Sequence, residues 1–196
     1  MNHRLLRAAD YPVMPWKNGA GSTREILRDA GDGLEGFGWR LSIADVGVPG
    51  PFSAFSGYQR VITVLEGEGM RLTVDGEPSR ELRALDAFAF DGASAVDCEL
   101  LGGAIRDFNL IYAPARYRAR LQWLRVQGEL ALFSSASIVL LFSAGAAPVV
   151  ANRDGQLLGS LERQDCLQVE ADGRLVEYRL SSSAAADVCL IELDPR

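Results

Sequence analysis

The chain has 196 residues, 48% of them hydrophobic and 23% charged, with a formal net charge of −6. That length supports a sizeable core, and the acidic balance works against a protein that grips nucleic-acid phosphates through clustered cations. The longest apolar run, SIVLLF at 137–142, is far short of the ~18 residues of a membrane helix. The first residues, MNHRLLRAADYPV, lack the apolar stretch of ~7–15 residues that a secretory signal needs. A cytoplasmic protein with no membrane or nucleic-acid partner is expected. Cys98, Cys166 and Cys189 are odd in number and set among apolar neighbours, which favours buried free thiols over a disulfide framework or a zinc site.

Along the chain, apolar residues alternate with period two and almost no helical pattern is sustained. Strands are predicted at 22–28, 38–46, 60–66, 69–75, 86–90, 95–101, 104–112, 116–126, 129–134, 137–143, 148–152, 166–170, 174–180 and 187–193. Most are rich in Val, Ile, Leu and Phe and bounded by Gly, Pro, Asp or Ser, as short antiparallel strands are. Closely spaced short strands predict an all-β barrel or sandwich architecture.

An internal echo refines this. Asp75-Gly76, Leu82, Asp86 and Phe88 recur at the same spacing as Asp154-Gly155, Leu161, Asp165 and Leu167. Each set reads as an Asp-Gly turn, an inward Leu and an Asp that starts the next strand. Two copies of one barrel are expected, residues 1–113 and 114–196, divided where APAR interrupts the strand pattern; chance likeness between hairpins is the alternative.

Polar clusters lie in the first copy. In PWKNGAGSTRE, Trp16, Lys17, Asn18 and Gly19 form a Gly-rich loop whose backbone amides and ammonium can approach a ligand, although Asn-Gly is equally at home in a plain hairpin turn. The next strand presents Thr23 and Glu25 on one face. In GWRLSIADV, Arg40, Ser42 and Ala44 share the face opposite Trp39, Leu41 and Ile43, which suits either a cavity lining or a solvated sheet face. The loop GVPGPFSAFSGYQR carries Phe52, Phe55 and Tyr58 and has the length of a lid. Arg60 follows at a strand start, near the mouth, with a rim salt bridge to Asp45 or Glu66 as its ordinary role. In RDFNLIY, Asp107 and Asn109 face one side and offer an acceptor and an amide to the same space.

VLEGEGMRLTVDGE followed by LRALDAFAFDG resembles the cupin signature, so the resemblance implies two cupin-like barrels of bicupin, double jelly-roll type. Metal-binding cupins carry histidines and a glutamate there; this chain has Tyr58, Gln59 and Arg60 where ligands are expected, and its one histidine, His3, lies far away. Neither a bound metal nor any other cofactor is expected. MPWKNGAGSTREI, FGWRLSIADVGVPGPFSAFSGYQRVITVLEGEGM and RDFNLIY resemble, in order, the signatures of the HutD/Ves family, cupin-type proteins associated with histidine utilisation; Ala20 replaces a common glycine of that pattern.

Two functional classes follow. In the first, Lys17, Arg40 and Arg60 hold the carboxylate of a small anionic metabolite while Asn18, Thr23, Ser42 and Asn109 orient the rest. An arginine left without an anion in such a cavity carries a desolvation cost that the ligand relieves. The family resemblance implies a histidine-pathway acid such as formylglutamate or urocanate, and a sensor or limiter of flux. In the second, a metal-independent isomerase or hydrolase uses Glu25 as base, against which stand the missing histidine, nucleophile elbow and carboxylate pair. A protein-docking module is a third reading, and a homodimer is compatible with all three.

Overall fold

The computed structural model describes residues 2–16, 19–31 and 36–196. Among them the regular structure is β except for one 3-10 turn at Ala8–Asp10. Among the described residues no helix is long and apolar enough to cross a membrane. Contacts divide the chain into two compact units, Tyr11–Tyr117 and Met1–Asp10 with Arg118–Arg196. The division expected at 113/114 therefore needs correction at the N-terminus. Strand Asn2–Leu6 pairs antiparallel with Cys166–Glu170, setting Leu5 opposite Leu167, so the first ten residues complete the C-terminal unit. A pairing between residues so far apart in sequence leaves no local pattern to read.

In the unit Tyr11–Tyr117 a six-stranded antiparallel sheet runs Val13–Pro15, Gly21–Arg28, Trp39–Val46, Ile105–Tyr112, Gln59–Glu66 and Ala87–Asp91. A four-stranded sheet runs Gly50–Pro51, Val96–Leu100, Met70–Val74 and Glu77–Pro78. Ala44, Ile62, Val64 and Ile105 of the first sheet pack against Met70, Leu72, Val96 and Cys98 of the second, giving one apolar core. Its fully buried aliphatic side chains each contribute roughly 1.5–3 kcal/mol relative to exposure. Strand Trp39–Val46 is buried on both faces, so the solvated-face alternative for Arg40 and Ser42 does not hold.

The other unit holds a seven-stranded sheet: Asn2–Leu6, Cys166–Glu170, Ile138–Ser143, Val176–Pro195, Val149–Arg153 and Gln156–Leu161, with Tyr117–Ser134 also pairing with Val176–Pro195. Its two outer strands approach each other. Arg7 Nη1 donates to the Ser160 carbonyl at 3.0 Å, and a Cβ on Gly159 would lie 3.2 Å from Leu5 Cδ2, so the sheet curls into a nearly closed barrel around Val139, Leu141, Leu167, Tyr178 and Leu190. The segments expected as four short strands at 116–134 and 174–193 are two long ones. Gly128, at φ 75°, lets the first continue through the expected break. Among the described residues, short or Pro-bearing strands such as Val13–Pro15, Gly50–Pro51 and Glu77–Pro78 were not legible as strands, because they lack a run of β-formers.

The echoed positions share local geometry. Asp75 and Asp154 have φ of 50° and 46° and each is followed by a positive-φ glycine. Asp75 Oδ1 accepts from the Ala95 amide at 2.9 Å, and Asp154 Oδ1 from the Glu177 amide at 3.1 Å. Ten residues on, Leu85 and Gln164 have φ of 63° and 66°.

Candidate functional site

Register builds the site on the inward face of the six-stranded sheet. Arg40, Ile111, Arg60 and Phe90 form one row across neighbouring strands. Ser42, Asn109 and Ile62 form the next, and Thr23, Ala44, Asp107 and Val64 the third. Two arginines two strands apart thus flank Ile111, their backbones about 10 Å from each other, twice the interstrand spacing. Below them lie a hydroxyl, an amide and a carboxyl group, and Ala44 leaves room between Thr23 and Asp107. Lining a cavity of about 660 Å³ are Thr23, Arg40, Ser42, Arg60, Asp107, Asn109 and Ile111 from the sheet, with Met14, Pro15, Trp16, Pro51, Phe52, Ser53 and Phe55 from flanking segments.

A hydrogen-bonded chain crosses its floor. Arg60 Nη2 donates to Asn109 Oδ1 at 2.9 Å, and Asn109 Nδ2 donates to Asp107 Oδ1. Arg60 Nη1 donates to the Ser53 carbonyl at 3.2 Å, and its Nε is buried without a partner among the described residues. The guanidinium lies 5.7, 5.3 and 4.9 Å from the ring centres of Phe52, Phe55 and Phe90, an arrangement that holds a desolvated cation by cation–π attraction. Burial pulls Arg60 down to about 10, with Asp107 opposing and Arg40 adding to the shift. Burial pushes Asp107 up to about 7, although Arg60 and Asn109 pull it back. Asp107 is 1% exposed and makes no ion pair within 4.0 Å among the described residues.

Arg40 is positioned differently. Its Nε donates to Glu25 Oε2 at 2.7 Å, its only side-chain hydrogen bond among the described residues, and the rest of its fork serves the cavity wall. Glu25 is clamped from the other side by Arg28, which donates from Nε at 2.7 Å and also from Nη2. Burial raises the Glu25 carboxyl, but these hydrogen bonds outweigh it and hold the group below its ordinary range. Arg40 is therefore not an uncompensated charge in the empty protein, as expected above; a bulge between Glu25 and Leu27 brings Glu25 within its reach.

The structure brings together Trp16, Thr23, Arg40, Ser42, Phe52, Arg60, Asp107 and Asn109. Lys17 and Asn18 lie outside the described residues. Gly19, at φ 72°, lines a separate groove of about 550 Å³ with Asp45, Glu66 and Arg106. Glu25 stands behind Arg40 and does not line the cavity. Tyr58 stacks on Phe37 at 4.6 Å and donates its hydroxyl to the Phe37 carbonyl at 2.9 Å, so it anchors its own loop rather than lining the cavity. The rim salt bridge considered for Arg60 belongs to Arg106, which reaches Asp45 at 2.7 Å and Glu66 at 3.2 Å. Trp16 Nε1 donates to Thr23 Oγ1 at 2.8 Å, tying the Gly-rich loop to the wall. Met14, Pro15, Pro51, Ser53 and Ile111 were missed; only Ile111 carried a signal, its parity with Asp107 and Asn109. Among the described residues no three His, Cys, Asp or Glu side chains converge as metal ligands.

The sequence model described as HutD matches residues 8–190. The chain is 60% identical over 195 residues to an uncharacterized 21.2 kDa protein of the hutC 3' region of Pseudomonas putida, covering 98% of each chain. It is similar to the solved structure of HutD from Pseudomonas fluorescens SBW25, at 53% identity and TM-score 0.86 over 100% of both chains. At 10% identity and TM-score 0.67, it shares only the cupin-like fold with AerE of Microcystis aeruginosa, over 93% of this chain and 97% of that one.

Proposed function

From the premise that the chain belongs to the HutD family, which is linked to histidine utilisation, we propose that its cavity binds a small carboxylate and that the protein senses or limits flux in that pathway. One observation carries this reading: Arg40 and Arg60 flank Ile111 in one row, over a cavity with a polar floor and an aromatic cover. Guanidinium forks match carboxylates bidentately, and a dry wall strengthens that recognition. Ser42, Asn109 and Thr23 then orient the rest of the ligand, and a dicarboxylate or acylated amino acid such as formylglutamate fits better than a sugar, which leaves the cations unanswered. Urocanate, a flat acid, is the second candidate, matched by Trp16 and Phe52.

No metal is required on this reading, and the protein works in the cytoplasm, where its three buried free thiols stay reduced. The shared geometry of the Asp75 and Asp154 turns supports a duplicated, two-barrel origin. Glu25 makes a poor general base, since Arg28 and Arg40 occupy its carboxylate. A thermal-shift screen against histidine-pathway acids tests the proposal: a ligand at ~100 times its dissociation constant stabilises the native state by about 2.7 kcal/mol. Absence of a shift with every acid, alongside one with neutral sugars, would reject it.

A further inference from the structure

A buried carboxyl group on the floor of an anion cavity is an electrostatic contradiction. Asp107 shares that cavity with Arg40 and Arg60, yet it pairs with neither. Its described hydrogen bond comes from the neutral Asn109 amide, and Asn109 in turn spends its oxygen on Arg60. While Asp107 is ionised, the attraction of Arg60 is shared between Asp107 and any incoming anion, and the two anions repel in a poorly solvated space. Adding a proton to Asp107 removes the repulsion and leaves the charge of Arg60 to the ligand.

Building on the carboxylate reading of the cavity, we propose that Asp107 takes up one proton from solvent when the anion enters, so that carboxylate affinity is linked to pH. The groups facing Asp107 do not substitute for it. Arg60, lowered only to about 10, remains cationic at neutral pH, Arg40 is engaged by Glu25, Asp45 on the strand alongside is engaged by Arg24 and Arg106, and Thr23 carries no ionisable group. Cys98, from the four-stranded sheet, has its thiol pushed up to about 12 by burial and by Asp107, so it stays protonated. The ready titration of Asp107 near neutrality agrees with the assignment. Linkage makes the consequence specific: where Asp107 is ionised in the empty protein, each bound anion absorbs up to one proton, and affinity weakens about tenfold per pH unit.

The test is calorimetric titration of the full-length protein with N-formylglutamate and with glutarate, at pH 6 and pH 8, in phosphate and in Tris, whose ionisation heats differ. Expected at pH 8 is a buffer-dependent heat reporting proton uptake, with weaker binding than at pH 6. The Asp107→Asn variant, neutral at every pH, should bind with the same affinity at both and show no uptake. If that variant does not fold, the buffer comparison on the unaltered protein decides alone. Binding with buffer-independent heat, or with proton release as a ligand cation pairing with ionised Asp107 would give, overturns the coupling and leaves the carboxylate site standing. No binding of either probe in any buffer overturns both.

Discussion

Glu25 lies opposite Ser42 in the sheet register, yet its Oε2 accepts from Arg40 Nε at 2.7 Å. The bulge after Glu25 turns a side chain from the neighbouring row toward the arginine and fixes its fork before any ligand arrives. Preorganisation of this kind lowers the ordering cost of binding.

Glu25→Gln should therefore keep the fold but loosen the fork. Its cost to the empty protein is expected at about 1–3 kcal/mol, since a charge-assisted contact with two arginines is lost, and ligand-induced stabilisation should shrink. Arg40→Met should abolish that stabilisation at a similar cost, because Arg28 still answers Glu25. Urea unfolding with and without ligand measures both. Unchanged ligand response in Arg40→Met would place Arg40 outside the site.

The ligand-free protein should show opposite pH trends from its two site carboxyl groups. Glu25 has a folded value below its ordinary one, so its contribution is present above the unfolded value and is lost as pH falls through the folded one. Asp107 has a folded value raised to about 7, so the native state holds a proton that the unfolded chain has released. Its contribution falls as pH rises from about 4 toward 7 and levels off above, by an amount on the order of a few kcal/mol. Asp107→Asn should flatten the stability profile between pH 5 and 8, as read by urea midpoints; a profile identical to that of the unaltered protein would refute the assignment.

Gly92 staples the loop that carries Phe55 and Tyr58, which the proposed function makes a lid. Its carbonyl accepts from the Phe55 amide at 2.6 Å, its amide donates to the Tyr58 carbonyl at 2.8 Å, and an added Cβ would lie 2.5 Å from the Phe55 carbonyl oxygen. Gly92→Ala should push the lid backbone outward, costing about 1–3 kcal/mol, and should speed ligand dissociation more than it lowers thermal stability. Stopped-flow dissociation rates matching those of the unaltered protein would show that the lid does not close the cavity.

Metal removal should change nothing. Among the described residues no three His, Cys, Asp or Glu side chains converge as metal ligands, so protein dialysed against EDTA should keep its melting temperature and its ligand response. A stoichiometric transition metal found by elemental analysis, with loss of stability on its removal, would contradict this.

Alternation alone made the β class legible, because successive side chains of a strand point to opposite faces, and GWRLSIADV and RDFNLIY set their polar residues mainly on one face even though both strands are buried on both. The same parity sorted Arg40 with Ser42 and Asp107 with Asn109 before any neighbour was known. Motifs matched in order along the first half of the chain carried the family, since several loops and strands must agree in spacing at once. What parity cannot say is which strands are neighbours. Register between Trp39–Val46, Ile105–Tyr112 and Gln59–Glu66 put Arg40 and Arg60 in one row, and the bulge after Glu25 converted an apparent wall residue into the support of Arg40. The return of Asn2–Leu6 to Cys166–Glu170 likewise rests on hydrogen bonding to a strand about 160 residues away, which no local pattern specifies. Side-chain direction is a local property of an extended backbone, and the sequence by itself determined it; convergence into a cavity, and the burial that shifts Asp107, are long-range properties that only the tertiary structure decided.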